Sequence, residues 1–291
     1  MTFGIIANSE KPITQKILPE LFKWFRTKGV EFFVEEQLAE RLQLPPQISP
    51  RLKAEAFSQR CQMVISFGGD GTILSTARII GSSGVPILGV KIGGMGFLAE
   101  VAPDEIYSGL EEILNGRFQI VERIVLAGEV RAGSEPMRYF ALNDFVLDKG
   151  AVSRVIRIKT FIDGQFLNTY IGDGLIVATA TGSTAYSLAA GGPILLPSME
   201  AIIINPISPH TLAARPVVIP GDRTVTATVV FAPQGVMLSA DGQGGETLRE
   251  GQSVTIRKAD YRIKLVSHPG RSFYDVLRAK LNWGDDIREG S

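Results

Sequence analysis

From the N-terminus to Arg123, short apolar runs alternate with stretches in which apolar residues recur every three or four positions. Phe3–Ala7 ("FGIIA") is unbroken by polar side chains and predicts a buried strand. Pro12 then opens a helical pattern carrying Ile13, Ile17, Leu21 and Trp24, and Gly29 marks its stop. Pro19 lies inside that pattern and argues against one unbroken helix. "VEFFVEE" reads as a second strand, "MVISF" as a third and "VPILGVKI" as a fourth. Helices are predicted from about Ile73 to Ile80 and over "PDEIYSGLEEILNG", ending at Gly116. Strands alternating with helices predict a doubly wound parallel sheet, whose ligands sit at the carboxyl ends of the strands.

Beyond Arg123 the pattern changes to many short β-branched runs, among them "IVLAGEV", "RYFALNDFVLD", "GLIVATA", "AIIINPI", "RTVTATVVF" and "QSVTIRKA". Asp163-Gly164 between two such runs predicts a tight hairpin. The whole reads as a sandwich-like all-β region, followed by a helical tail, "SFYDVLRAKLNW", that packs back on the core. The fold class is therefore α/β plus all-β. Residues 1–123 form the α/β domain, 124–265 the β-rich domain and 266–291 the returning segment.

Composition narrows the function. The 291 residues balance 30 Lys+Arg against 30 Asp+Glu, which argues against a nucleic-acid binder held by general charge attraction. Cys61 is the one cysteine, so no intrachain disulfide forms, as suits a reducing cytoplasm. "MTFGIIANSE" has no basic leader pattern, and no run approaches the ~20 apolar residues of a membrane span. A cytoplasmic protein without membrane attachment is expected.

The sharpest candidate chemistry is Gly68-Gly69-Asp70-Gly71-Thr72, directly after the third strand. Read structurally, it is a tight turn in which Asp70 caps the next helix, but three glycines exceed what a cap needs. No P-loop of the G-x-x-x-x-G-K-[ST] type occurs. The backbone N–H groups of Gly68, Gly69 and Gly71 suit a phosphate cradle, and Asp70 suits a proton acceptor for an attacking hydroxyl. Gly94-x-Gly96-x-x-Ala99 resembles a weak dinucleotide fingerprint lacking its downstream acid, and reads more readily as a packing turn between strand and helix. "DGLIVATATGSTAYSLAAGGP", Asp173 to Pro193, offers hydroxyls and N–H groups to a ligand, or simply a capped helix with a Gly-Gly-Pro stop. Asn143-Asp144 reads equally as a turn or as a pair chelating ribose hydroxyls. His210 and His268 match no metal spacing and read as structural, and no side-chain set is assigned to a metal. Ser183, Ser187 and Cys61 lack the surroundings of a hydrolase nucleophile.

"GGDGT", "LNDFVLD", "DGLIVATATGSTAYSLAAGGP" and "PHTLAARPVVIP", in this order, closely resemble the NAD kinase family from Phe3 to about Trp283. The pentapeptide is shared with diacylglycerol and sphingosine kinases and phosphofructokinases, whereas "TGSTAYS" is far more specific. The resemblance implies transfer of the γ-phosphoryl of ATP to the 2′-hydroxyl of the adenosine ribose of NAD, with a divalent metal, Mg expected, accompanying ATP. It implies that Asp70 is the general base and that Gly71 and Thr72 lie in the nucleotide site. It implies NAD contacts from Asn143, Asp144 and Asp173, and from Thr184, Ala185, Tyr186, Ser187, Leu188 and Ala189, with Tyr186 stacking. Arg154, Ser208 and Gln243 occupy further contact positions. It also implies chemistry in a cleft between the domains and a homodimer or homotetramer in which a neighbouring subunit completes the NAD site. Lys91, Ile171, Ala180 and Ala189 depart from residues common in the family. The competing expectations are a lipid kinase of the same superfamily, a non-catalytic NAD(P)-binding regulator and, last, a dehydrogenase.

Overall fold

The computed structural model describes residues 1–94, 96–99, 101–130, 136–150, 155–267 and 272–283. The chain divides into two compact units, Met1–Glu122 with Ile263–Ser291 and Arg123–Arg262.

In the first unit the chain runs β1 (Thr2–Ala7), α1 (Pro12–Thr27), β2 (Glu31–Glu35), α2 (Glu36–Arg41), β3 (Arg51–Leu52), α3 (Phe57–Arg60), β4 (Met63–Gly68), α4 (Asp70–Ile80), β5 (Ile87–Lys91) and α5 (Ile106–Leu114). The strands lie parallel in the order β5-β4-β1-β2-β3, so the winding reverses between β1 and β4. Ligands of such sheets bind outside the carboxyl ends at that reversal, which is where Gly68 ends β4. Phe3, Leu18, Leu21, Phe22, Phe25, Met63, Ile65 and Leu110 are among the residues of one buried cluster.

Two helix expectations need correction. The first helix is unbroken through Pro19, whose missing N–H lies on its exposed side, because Thr14, Leu18, Leu21, Phe22 and Phe25 bury the opposite stripe. Ile13 is 40% exposed, so the buried stripe starts one residue later than the apolar spacing suggests. The helix expected from Ile73 begins three residues earlier, at Asp70.

The second unit carries β6 (Gln119–Val130), which starts at the boundary, then β7 (Met137–Ala141), β8 (Asp144–Asp148), β9 (Ile156–Ile162), β10 (Gln165–Gly172), β11 (Gly174–Thr179), α6 (Tyr186–Ala189), β12 (Ala201–Ile207), β13 (Val217–Pro220), β14 (Val225–Phe231), β15 (Val236–Ala240), β16 (Gln243–Leu248) and β17 (Ser253–Ser267). Its strands form two sheets, β10-β9-β14-β17 with β6 and β7 attached, and β13-β12-β11-β8-β15-β16. Leu126, Ile158, Val225 and Ile256 of the first meet Phe145, Leu175, Val177 and Ile202 of the second in one apolar core, as in a sandwich. Ile176, Ala178 and Ile203 point the other way into a second cluster with Ala180 and Leu195. Both faces of β11 are thus buried, which is why it reads as a continuous apolar run. Asp163 and Gly164 both adopt positive φ (49° and 78°), the conformation a two-residue hairpin demands. The last helix, α7 (Phe273–Leu281), belongs to the first unit, where Leu265 of β17 also pairs with Ile87. Among the described residues no helix is long and apolar enough to cross a membrane.

Candidate active site

The glycines after β4 have different physical reasons. A Cβ on Gly68 would lie 2.1 Å from Thr72 Oγ1, so only hydrogen fits where Thr72 folds back over the strand end. A Cβ on Gly69 or Gly71 would meet nothing within 4 Å. Those two keep a surface open rather than permit a contact. Thr72 and Ile73 return their N–H groups to Gly69 O at 3.0 and 3.3 Å, closing the first turn of α4. A helix start carries partial positive charge, which favours both the Asp70 carboxylate and an incoming phosphate.

Asp70 is half-buried, and its carboxylate is gripped from the side. Oδ2 accepts the Phe97 N–H at 2.9 Å and Oδ1 the Leu98 N–H at 3.0 Å. Among the described residues from Gly94 to Ala99 no helix opens, so the helix start that a dinucleotide fingerprint needs is not seen there. The close strand–helix packing belongs instead to Gly89, where a Cβ would come within 2.6 Å of Ile73 Cδ1. Lys91 is the register partner of Gly68 and has no ion-pair partner among the described residues.

In the second unit, Asn143 and Asp144 sit where β8 begins. Three consecutive N–H groups, of Leu142, Asn143 and Asp144, donate to the Asp241 carboxylate at 2.9, 2.7 and 3.2 Å. Asp241 occupies the β15–β16 turn at φ 53° and returns its own N–H to Asp144 O at 2.9 Å. Burial first, and the Asp241 carboxylate second, push the Asp144 carboxyl up to about 7, so near neutrality a protonated fraction has an O–H to donate as well as an oxygen that accepts. Gln243 opens β16 two residues beyond Asp241 and is exposed.

The "TATGSTAYSLAAGG" stretch is tied to the same end of the sheet. Thr179 donates its N–H to Asn143 O at 2.8 Å and its hydroxyl to Leu142 O at 2.6 Å. A Cβ on Gly182 would fall 2.1 Å from Asn143 O, so the chain passes directly over Asn143. Thr181–Thr184 form a tight 3₁₀ turn, and Thr184 and Ala185 are half-buried before α6. Within α6, Tyr186 is 46% exposed, Ser187 is buried, Leu188 half-buried and Ala189 exposed. Asn205, fully buried on β12, donates to Ser187 O at 2.9 Å and fixes that helix from below. Asn205 Oδ1 and Thr181 Oγ1 are buried without a hydrogen-bond partner.

Asp173 and Ser208 stand at the opposite end of β11, roughly 20 Å from Thr179 at a strand rise of ~3.3 Å per residue. There Lys149 Nζ meets Asp173 Oδ1 at 2.6 Å, and Ser208 adopts φ 43° on an exposed corner. His210 is exposed, with its backbone N–H on Ile171 O at 2.9 Å. The structure thus gathers Asn143, Asp144, Thr184–Ala189 and Gln243 at one end of the sheet and leaves Asp173 and Ser208 at the other. Arg154 and His268 lie outside the described residues. The sequence reading missed Asp241 and Asn205. Asp241-Gly242 is a legible turn dipeptide, and Asn205 is a polar residue inside an apolar strand, but neither signal names its partner.

Residues 3–118 match the family model of the ATP-NAD kinase N-terminal domain, and residues 142–268 that of the ATP-NAD kinase C-terminal domain. These define an ATP-dependent phosphotransferase built from two units. The NAD kinase of Geobacter sulfurreducens is 43% identical over 283 residues, covering 97% of this chain and 98% of that protein. The NAD kinase of Solibacter usitatus is 39% identical over 285 residues, covering 98% of each. Yeast NADH kinase, solved with NADH, matches with a TM-score of 0.89 at 26% identity, over 100% of this chain and 90% of that one. An Archaeoglobus fulgidus NAD kinase solved with ATP shares the fold, with a TM-score of 0.77 at 21% identity over 96% and 99% of the two chains. The chain belongs to the NAD kinase family.

Proposed function

We propose that Asp70 is the general base that lets the 2′-hydroxyl of the adenosine ribose of NAD attack the γ-phosphorus of ATP. The new bond joins the ribose oxygen to phosphorus, the bond from phosphorus to the ADP oxygen breaks, and the hydroxyl proton passes to an Asp70 oxygen. NADP and ADP are the products. The observation that carries this reading is the grip on Asp70. Each carboxylate oxygen takes one N–H and keeps lone-pair capacity for a hydroxyl, while the carboxylate's orientation is fixed before substrate arrives. General-base help of this kind supplies about 10²–10⁴ in rate.

The open backbone at Gly69 and Gly71 suits the triphosphate, and Lys91 beside Gly68 supplies it with positive charge. Among the described residues no three His, Cys, Asp or Glu side chains converge on a metal position. A divalent ion, Mg²⁺ expected, would be carried by the nucleotide's own phosphates and would neutralise their charge. Asn143 and Asp144 hold ribose hydroxyls, and exposed Tyr186 offers a face for stacking. Asp173 and Ser208, at the far end of β11, suit the nicotinamide half of the dinucleotide, supplied within one chain or by a neighbouring subunit of a homodimer or homotetramer. A cytoplasmic setting belongs to the same reading.

Incubating the chain with ATP, Mg²⁺ and NAD, and reading NADP with a reductase specific for it, tests the proposal. Stoichiometric NADP and ADP are expected. Nucleotide binding without ADP release, or phosphate transfer to diacylglycerol in a parallel arm, overturns it.

A further inference from the structure

Gly94–Ala99 leaves one conspicuous sequence feature without a part in the chemistry, and its surroundings give it one. The backbone N–H groups of Phe97 and Leu98 are the two donors on Asp70. Gly96 lies so close beneath the carboxylate that an added Cβ would fall 2.2 Å from Asp70 Oδ1 and 2.9 Å from its Cγ. A methyl group there has no room unless the carboxylate moves. At Gly94, two residues away, an added Cβ would meet nothing within 4 Å.

The segment is itself held from outside. The Phe97 ring packs on Phe273 of α7 at 6.3 Å between centroids, and Lys280 Nζ lies 5.5 Å from the Phe97 centroid. The start of α7 is fixed independently, since Ser272 N–H donates to Asp275 Oδ2 at 2.9 Å and Asp275 N–H to Ser272 Oγ at 3.2 Å. A chain of contacts therefore runs from α7 through Phe97 to Asp70.

We propose that Gly96-Phe97-Leu98 is a positioning element for Asp70, and that α7 secures it through Phe273 and Lys280. The inference rests on Asp70 being the base. An aspartate side chain turns freely about χ1 and χ2. Two N–H groups on adjacent residues remove that freedom, and the packed Phe97 ring keeps the two N–H groups from drifting.

The test measures steady-state NADP formation and amide hydrogen exchange on one set of full-length variants. Gly96→Ala is expected to lower kcat by about 100-fold, the cost of roughly an ångström of misplacement, with KM for NAD nearly unchanged. Gly94→Ala is expected to match wild type in both. Phe273→Ala is expected to lower kcat by roughly tenfold or less, with Phe273→Leu restoring part of it. In Asp70→Ala and in Phe273→Ala the Phe97 and Leu98 amides are expected to exchange faster, while β4 keeps its protection. Wild-type kcat in Gly96→Ala, or unchanged exchange at Phe97 and Leu98 in both other variants, overturns the inference. If Asp70→Asn keeps wild-type turnover, the base assignment fails instead, and the exchange data still report whether the tether exists. Should Gly96→Ala fail to fold, the exchange arms decide alone.

Discussion

The two units present their candidate residues in opposite ways. In the first, one strand end, one helix start and one neighbouring segment carry the chemistry, and the open glycines Gly69 and Gly71 stand within a single pentapeptide. In the second, Asn143 and Asp144 are held by Asp241, about a hundred residues later in the chain, and α6 is held by Asn205 from a separate strand. The first site is local and backed by backbone. The second is assembled by side chains from several strands of one sheet. The lesson is that the geometry of the first unit's site rests on backbone groups and on glycines that touch something, whereas that of the second rests on polar side chains distant in sequence.

The largest effect that would sharpen this contrast is expected from Asp241→Ala. It strands three N–H groups and puts alanine at a positive φ, so a loss on the order of 3 kcal/mol or more is expected in urea unfolding, together with weaker NAD binding. Unchanged unfolding midpoints would show that the turn carries no such role.

Asp144 comes next, through pH. Its carboxyl is raised from 3.8 to about 7, so between those values the folded protein keeps a proton that the unfolded chain releases. Stability is therefore full at the acid end of the window, falls as pH rises through it, and levels off above about 7. Asp144→Asn should flatten that slope, which amounts to as much as about 4 kcal/mol. Urea midpoints at pH 5 and pH 8 that shift equally in both proteins would contradict the shift.

Gly182→Ala should raise KM for NAD by roughly tenfold, because the added methyl must displace the Asn143 carbonyl. A KM rise of similar size for ATP would show a general disturbance rather than a local one. Smallest of all, Lys91→Gln is expected to raise KM for ATP by only a few-fold and to leave KM for NAD alone, as fits one partly exposed charge on a phosphate. An effect confined to NAD would remove Lys91 from the triphosphate site.

Much of the fold is legible in the residues because its signals are short-range. The Asp163-Gly164 hairpin, the strand ending at Gly68 and the helix stops at Gly29 and Gly116 each follow from neighbours in sequence, and all three of those turn glycines have positive φ. The start of α4 is not legible, since Asp70 reads as part of a loop until Gly68 and Thr72 are seen to pack together. The stripe of α1 is misjudged by one position because Thr14, a polar residue, is fully buried and sends its hydroxyl to Asn8 O. Gly96 carries a signal, but its spacing reads as a packing turn and, less readily, as a nucleotide loop, and neither reading names the carboxylate 26 residues earlier in numbering. Asp241 and Asn205 remain hidden because their partners are set by sheet register, which no local pattern encodes.

The most direct measurement is turnover by Asp70→Asn beside its affinity for NAD. With Asp70 as the base, the variant is expected to fold and to bind NAD as wild type does, with kcat lower by about 10²–10⁴ or more. A kcat near the wild-type value would contradict it.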